Sequence, residues 1–294
     1  MSFSMDVKEE LGRQYSKSRQ CQLAELAGIL EMEGKIHKNP LSLELHTDNP
    51  ILIEKYAILM KKAFSIDITK PISEADASNI LAALKWNKNN NIPDLLQEQT
   101  TDGLLVEKTN CKRAFIRGAF LASGSMSDPN KSYHFEIVCH TLNQAKQLQN
   151  LMIDFETDAK IVERKGHYVV YLKEGSQIVD ILNVMEAYVS LMNLENVRIL
   201  KEMRNSVNRK VNCETANISK TVNAAVKQLN DIELIRDKIG LDNLPANLRE
   251  MALLRLEYPE AALKELGNYL EPPVGKSGVN HRLRKLSAIA DDLR

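Results

Sequence analysis

LAGILEMEG, residues 26–34, can be read in two ways. Small residues come early, two carboxylates (Glu31 and Glu33) come late, and a glycine ends the segment. It is either an acidic metal site or a helix shaped for close packing whose acids are incidental. A second copy of the segment bears on the choice. When CQLAELAGILEMEGKI (21–36) is set beneath CKRAFIRGAFLASGSM (111–126), cysteine falls on cysteine, Ala24 on Ala114, Gly28 on Gly118 and Gly34 on Gly124. After a short insertion, DPNK (128–131), LSLELHTDN (41–49) aligns with FEIVCHTLN (135–143), so that His46, Thr47 and Asn49 match His140, Thr141 and Asn143. Two ordered blocks of matches indicate a duplicated architecture.

Each half predicts the same order of elements. A helix ends at glycine, a residue that tolerates positive φ and suits a C-cap. Alternating strand residues follow (Leu41, Leu43, Leu45; Phe135, Ile137, Cys139), then an amphipathic helix over 51–64 or 143–153. The second half adds a hairpin, AKIVERKGHYVVYL, turning at Lys165-Gly166, where the first has only SIDITKPIS, so its last strand is short or missing. Helices over 76–86 and 176–187 close the halves, and NKNNNIPDLL (87–96) is a polar connector. The expected fold is an α+β domain of two pseudo-twofold αββαββα repeats, about 1–95 and 100–190, within residues 1–190. On the repeated helix, Cys21, Ala24 and Gly28 share one face, as do Cys111, Ala114 and Gly118. Small side chains there let two backbones approach, so Ala24, Gly28, Ala114 and Gly118 are assigned to a helix-pair interface.

The bulk properties exclude several classes. At 294 residues, two domains are the expectation, and 44% apolar with 27% charged residues is ordinary for a globular chain. No apolar run is long enough for a membrane span, and MSFSMDVKEELGR lacks a signal-peptide core. Cys21, Cys111, Cys139 and Cys213 are scattered without a C-x-x-C, which suits a reducing cytoplasm and argues against a disulfide framework or zinc. Net charge is zero, so nucleic-acid binding would need a local basic surface.

LAGILEMEG resembles the LAGLIDADG motif of homing endonucleases, and IRGAFLASG (116–124) resembles a degenerate partner. In that family two such helices pack side by side, each delivering one acid before its last glycine to bind divalent metal beneath a DNA-straddling saddle of strands. The matching positions here are Glu33 and Ser123. Hydrolysis with two metals needs hard oxygen ligands on both sides. Ser123 is neutral, and neither Leu121 nor Ala122 supplies a carboxylate. The pair is therefore read as vestigial, with no metal or other cofactor expected. Glu33 becomes a solvated or hydrogen-bonded helix-end carboxylate and Glu31 a surface residue. A residual nuclease or nickase using Glu33 is the enzymatic alternative.

From Val189 onward the pattern is all helical. Residues 191–215 read as a basic helical linker whose Arg198, Lys201, Arg204, Arg209 and Lys210 could meet phosphates or simply form a solvated face. Residues 216–294 read as a helix-turn-helix domain. One helix ends at Gly240, the next runs from about Pro245 to Pro259, and a short one covers 260–270; a connector holds Pro272, Pro273 and Gly275, and a final helix starts at Ser277. In the final helix Val279, Leu283, Leu286 and Ile289 or Ala290 face the core. The opposite arc carries Ser277, His281, Arg284 and Lys285, with Asn280 at its edge, Arg282 nearer the core and Lys276 just before it. Ser277 suits an N-cap, and first-turn amides attract phosphate. Arg284 could read guanine, Asn280 adenine, and Lys276 a backbone oxygen.

This portion is similar to region 4 of bacterial sigma factors. With the degenerate repeats, and with MSFSMDVKEELGR, CKRAFIRGAFLASGSMSDPNKSYHFEI and LKELGNYLEPPVGKSGVNHRLRKL, the whole chain resembles the WhiA family. That resemblance implies an inactive homing-endonuclease domain joined to a sigma-like helix-turn-helix in a cytoplasmic, nucleoid-associated transcriptional regulator. It further implies double-stranded DNA as partner and roles in cell division, chromosome segregation and, in some relatives, sporulation. A sigma factor or other protein gripped by the N-terminal domain is the third reading.

Overall fold

The computed structural model describes residues 2–86 and 100–294; the connector read at 87–96 lies outside them. Contacts divide the chain into two units, 1–202 and 203–294.

In the first unit, Ser2 caps α1 (Phe3–Gly12) by accepting from the Met5 amide. The first repeat follows as α2 (Arg19–Glu33), β1 (Gly34–Lys38), β2 (Leu41–Leu45), α3 (Pro50–Phe64) and α4 (Glu74–Ala83). Asn49 caps α3, whose first residue is a proline that needs no amide partner, and Ser73 caps α4. The second repeat is α5 (Thr109–Ser123), β3 (Gly124–Met126), β4 (Phe135–Cys139), α6 (Leu142–Ile153), β5 (Lys160–Arg164), β6 (His167–Leu172) and α7 (Gly175–Met185). Thr141 and Gln144 form a reciprocal capping box at the start of α6. Lys165 and Gly166 both take positive φ at the β5–β6 turn, the backbone a two-residue hairpin requires.

The sheets differ as the sequences of the two halves differ. The second repeat builds four strands in the order β3-β4-β6-β5, the first only β1-β2, because Ile66–Ser73 forms no strand. Their registers differ too. Gly34 pairs with Leu45, whereas Gly124 pairs with Ile137, the residue aligned with Leu43. A slip of two residues is one full pleat, so the same side chains still face the helices.

Three local expectations are corrected. Gly34 and Gly124 do end their helices, but at φ −84° and −82°, so positive φ is not the reason. At Gly124 the reason is space: a Cβ would stand 2.2 Å from the Phe120 ring and 2.6 Å from its carbonyl oxygen. The closing helices are shorter than 76–86 and 176–187, each ending before a turn that the periodicity does not mark. Finally, the linker is not a separate segment. One helix, α8 (Tyr188–Lys238), runs through 191–215 and through the helix expected before Gly240, because nothing from 188 to 238 is a glycine or proline.

α2 and α5 form the seam of the first unit. Cys21 and Cys111 sulfurs lie 3.3 Å apart, and a Cβ at Gly28 or Gly118 would run into the facing backbone. A buried charge cluster sits at this seam. Glu25 bonds Lys55 Nζ and Arg117 Nε, each at 2.9 Å, and Arg117 reaches Glu186 at 2.7 Å. Lys55 also donates to the carbonyls of Leu11 and Gln14.

The second unit holds the end of α8, a 3-10 turn (Leu241–Asn243), α9 (Ala246–Glu257), α10 (Leu263–Asn268) and α11 (Lys276–Asp292). Ile232, Ile235, Leu248, Met251, Leu266, Val279, Leu283 and Leu286 form its core. α10 and α11 are drawn together at Gly267, whose carbonyl accepts from the Val274 amide at 2.9 Å. A Cβ on Gly267 would meet the Val274 carbonyl oxygen at 2.0 Å.

Candidate nucleic-acid interface

α11 buries Val279, Leu283, Leu286 and Ala290 against α9 and α10, which fixes its rotation. Lys276, Ser277, Asn280, His281, Arg284 and Lys285 are thereby all exposed on the other side. Their spacing (i, i+1, i+4, i+5, i+8, i+9) makes one continuous face. Gly275, not Ser277, is the N-cap; Ser277 lies inside the first turn. A glycine cap offers no side-chain acceptor, so the first-turn amides of this 17-residue helix have no cap bond. Arg282 is tied back to α9, 3.4 Å from Glu250 and 3.5 Å from the Asn247 carbonyl.

The five phosphate candidates on α8 separate into two groups. Lys201 donates to the Pro129 carbonyl at 2.7 Å and lies over the Tyr133 ring, and Arg198 pairs with Glu195 at 3.1 Å. Both are held within the first unit. Arg204, Arg209 and Lys210 are exposed. Sequence reasoning missed Arg294, the last residue, which bridges to the fully buried Asp231 and closes the second unit's core. Helical periodicity does carry Asp231 onto an apolar face, which was the available signal.

The two vestigial acid positions have different surroundings. Glu33 is half-buried at the end of α2; burial raises its carboxyl above the usual range, against the positive field of His140, His46, Lys8 and Lys35. Ser123 donates to the Val138 carbonyl at 2.8 Å and to that of Ala119 at 3.4 Å. Its hydroxyl is thus spent inside the fold. Among the described residues no three of His, Cys, Asp and Glu converge as metal ligands.

Glu31 is not on the surface. It is fully buried, its Oε2 accepting from the amide and hydroxyl of Thr101 at 3.1 and 2.8 Å. Burial, only partly opposed by those bonds, pushes its pKa up to about 8, so the group is mostly protonated at neutral pH. A carboxyl that keeps its proton in the fold but loses it unfolded stabilises most below its ordinary pKa. That stability declines as pH rises towards 8. Glu31→Gln should therefore flatten a fall in urea stability of at most about 2 kcal/mol between pH 6 and pH 8. An unchanged slope in the variant would refute the assignment.

Comparison with known proteins agrees with this layout. The family description "WhiA LAGLIDADG-like domain" matches residues 112–204, and "WhiA C-terminal HTH domain" matches residues 207–290. The chain is 53% identical over 312 residues to the probable cell division protein WhiA of Lachnoclostridium phytofermentans, covering 100% of both chains. It is 48% identical over 316 residues to the protein of that name in Alkaliphilus oremlandii, covering 100% of this chain and 98% of the relative. It is also similar to the crystal structure of full-length DUF199/WhiA from Thermatoga maritima, at 25% identity and TM-score 0.59 over 99% of each chain.

Proposed function

The chain belongs to the WhiA family, and on that premise we propose that it is a sequence-specific DNA-binding transcriptional regulator that performs no chemistry on DNA. The observation that carries the reading is the exposed face of α11. It presents Lys276, Ser277, Asn280, His281, Arg284 and Lys285 beside an uncapped helix N-terminus, with no acid between 276 and 285. A helix set in the major groove by phosphate contacts at its first turn would bring Arg284 and Asn280 to base edges. Lys276 and Lys285 suit backbone oxygens, as do Arg204, Arg209 and Lys210 on α8. Arg198, Lys201 and Arg282 are poorer candidates, since each would first have to leave its protein partner.

The N-terminal unit then serves as scaffold, not scissor. An ammonium (Lys8) already stands in the field of Glu33, and the alcohol at position 123 is bonded into the fold. A connection with cell division is supported by what the relatives are named, and a role in chromosome segregation is part of the same proposal, resting on the family resemblance alone. A protein partner of the N-terminal unit, such as a sigma factor, is compatible with this role.

Arg284→Ala with Lys285→Ala should weaken operator binding about tenfold or more and lower the slope of log K against log salt by about one per lost phosphate contact. Gel-shift titrations at several salt concentrations measure both, on an operator first found by genome-wide mapping. Unchanged affinity and slope would remove α11 from the interface. Magnesium- or manganese-dependent nicking of supercoiled plasmid that Glu33→Ala abolishes would overturn the non-enzymatic part.

A further inference from the structure

The two repeats differ at one sheet edge. In the second repeat β4 lies between β3 and β6, bonded on both sides. In the first, among the described residues, β2 is bonded to β1 alone. The His46 amide donates to the Glu33 carbonyl at 2.8 Å, which makes 33 and 46 a hydrogen-bonded pair. Antiparallel ladders alternate, so Ser42 and Glu44 turn their main-chain groups towards β1, and Leu43 and Leu45 turn theirs outward. No main-chain bond from another described segment reaches those outward groups. An unpaired strand edge is a template for another strand unless something covers it.

Beside this edge lies a cleft of about 530 Å³. It is lined by Leu43, Leu45, Ile53 and Tyr56, and by Ile68 and Ile72 from the stretch that replaces the hairpin. Tyr56 adds an independent sign of a missing occupant. It is 2% exposed, lines the cleft, and its hydroxyl has no hydrogen-bond partner among the described residues. Leaving a buried hydroxyl unpaired costs on the order of 1–3 kcal/mol, so an orphan beside an open strand edge points to a ligand that brings polar groups.

We propose that this cleft is a docking site for an extended peptide strand of another protein, which pairs antiparallel with β2 at Leu43 and Leu45. The occupant's chemistry follows from the intact repeat. There β6, HYVVYL, pairs with β4 by placing Leu172 against Phe135 and Val170 against Ile137, and both Val170 and Leu172 are buried. The strand that fits β2 likewise carries apolar residues at alternate positions, set on Ile53 and Ile72, with a polar group meeting the Tyr56 hydroxyl. Residues 68–72 line the same cleft as β2, and its volume of about 530 Å³ suits a single short strand and not the whole sheet of a second copy. Strand addition of this kind draws affinity from main-chain bonds and specificity from alternate side-chain pockets. The site is separate from α11 and stands whether or not that helix reads DNA.

The test uses the full chain and a dye-labelled peptide, HYVVYL, with a control in which its second valine and its leucine are serine. Anisotropy should show saturable binding of the first peptide and not the second, and hydrogen exchange should slow at the Leu43 and Leu45 amides. Ile53→Asp, at a partly exposed cleft position, should abolish binding, and Tyr56→Phe should weaken it about fivefold, the value of one hydrogen bond. Absence of binding up to about 1 mM peptide with the fold intact would overturn the proposal. So would protection of Leu43 and Leu45 by raised protein concentration alone, which assigns the edge to a second copy, or by duplex DNA alone.

Discussion

Glu25→Gln is expected to destabilise the N-terminal unit by about 3–5 kcal/mol, the usual cost of stranding buried charge. Glu25 is the only anion of the cluster that is fully buried; its carboxylate lies 2.9 Å from both Lys55 and Arg117, and Glu186 is partly exposed. An amide in its place leaves two cations facing each other with one rim carboxylate between them. Burial already holds the Lys55 pKa below the ordinary lysine value, and Glu25 is the main force opposing that. In the variant, Lys55 should shed its proton more easily. A lysine whose folded pKa is lowered adds stability as pH rises from that pKa towards its unfolded value. The loss in Glu25→Gln should therefore shrink between pH 7 and pH 9.5 in denaturant titrations. Adding Lys55→Met to Glu25→Gln should restore part of the stability, because the remaining Arg117 keeps Glu186. A loss under about 1 kcal/mol that does not change with pH would mean the cluster is solvated in solution.

What the sequence made legible depended on repetition and local geometry. The seam glycines stood out because they recur ninety residues apart, and the missing strands because SIDITKPIS has neither the length nor the turn of AKIVERKGHYVVYL. The rotation of α11 followed from Val279, Leu283 and Leu286 alone. What escaped depends on residues brought together from afar. Glu31 occupies a helix end, where a carboxylate is normally wet, and the return of the chain at Thr101 brings it a partner from seventy residues away. Lys201 reads as a free linker cation until the DPNK insertion, seventy residues earlier, offers the Pro129 carbonyl. The charge cluster was missed because Glu25 and Arg117 each sit beside the small-residue face, and single charges on a helix read as solvent-facing. Ser277 attracted the cap assignment by residue type, although Gly275 is where the backbone leaves the helix.

Gly118→Ala should cost about 2–3 kcal/mol despite favouring the helix. Alanine gains roughly 1 kcal/mol of intrinsic propensity over glycine, while overpacking a tight contact costs typically about 1–3 kcal/mol and more where nothing can yield. Here nothing can yield cheaply, because the new Cβ would lie 2.2 Å from the Glu25 carbonyl oxygen and 3.1 Å from its carbon. These are backbone atoms, so α2 as a whole must move. Moving it at residue 25 also pulls Glu25 away from Lys55 and Arg117. Gly28→Ala meets the same obstacle from the other side, 2.4 Å from the Phe115 carbonyl oxygen and 3.0 Å from the Ala119 nitrogen. Both glycines guard one seam, so once either alanine has separated the helices the other finds part of its room already made. The double variant should then lose clearly less than the sum of the two single losses, by more than about 0.5 kcal/mol. Gly103→Ala, where an added Cβ meets nothing within 4 Å, is the control and should leave stability unchanged. Additive losses at Gly28 and Gly118, or losses no larger than at Gly103, would mean that the two helices approach independently of their glycines.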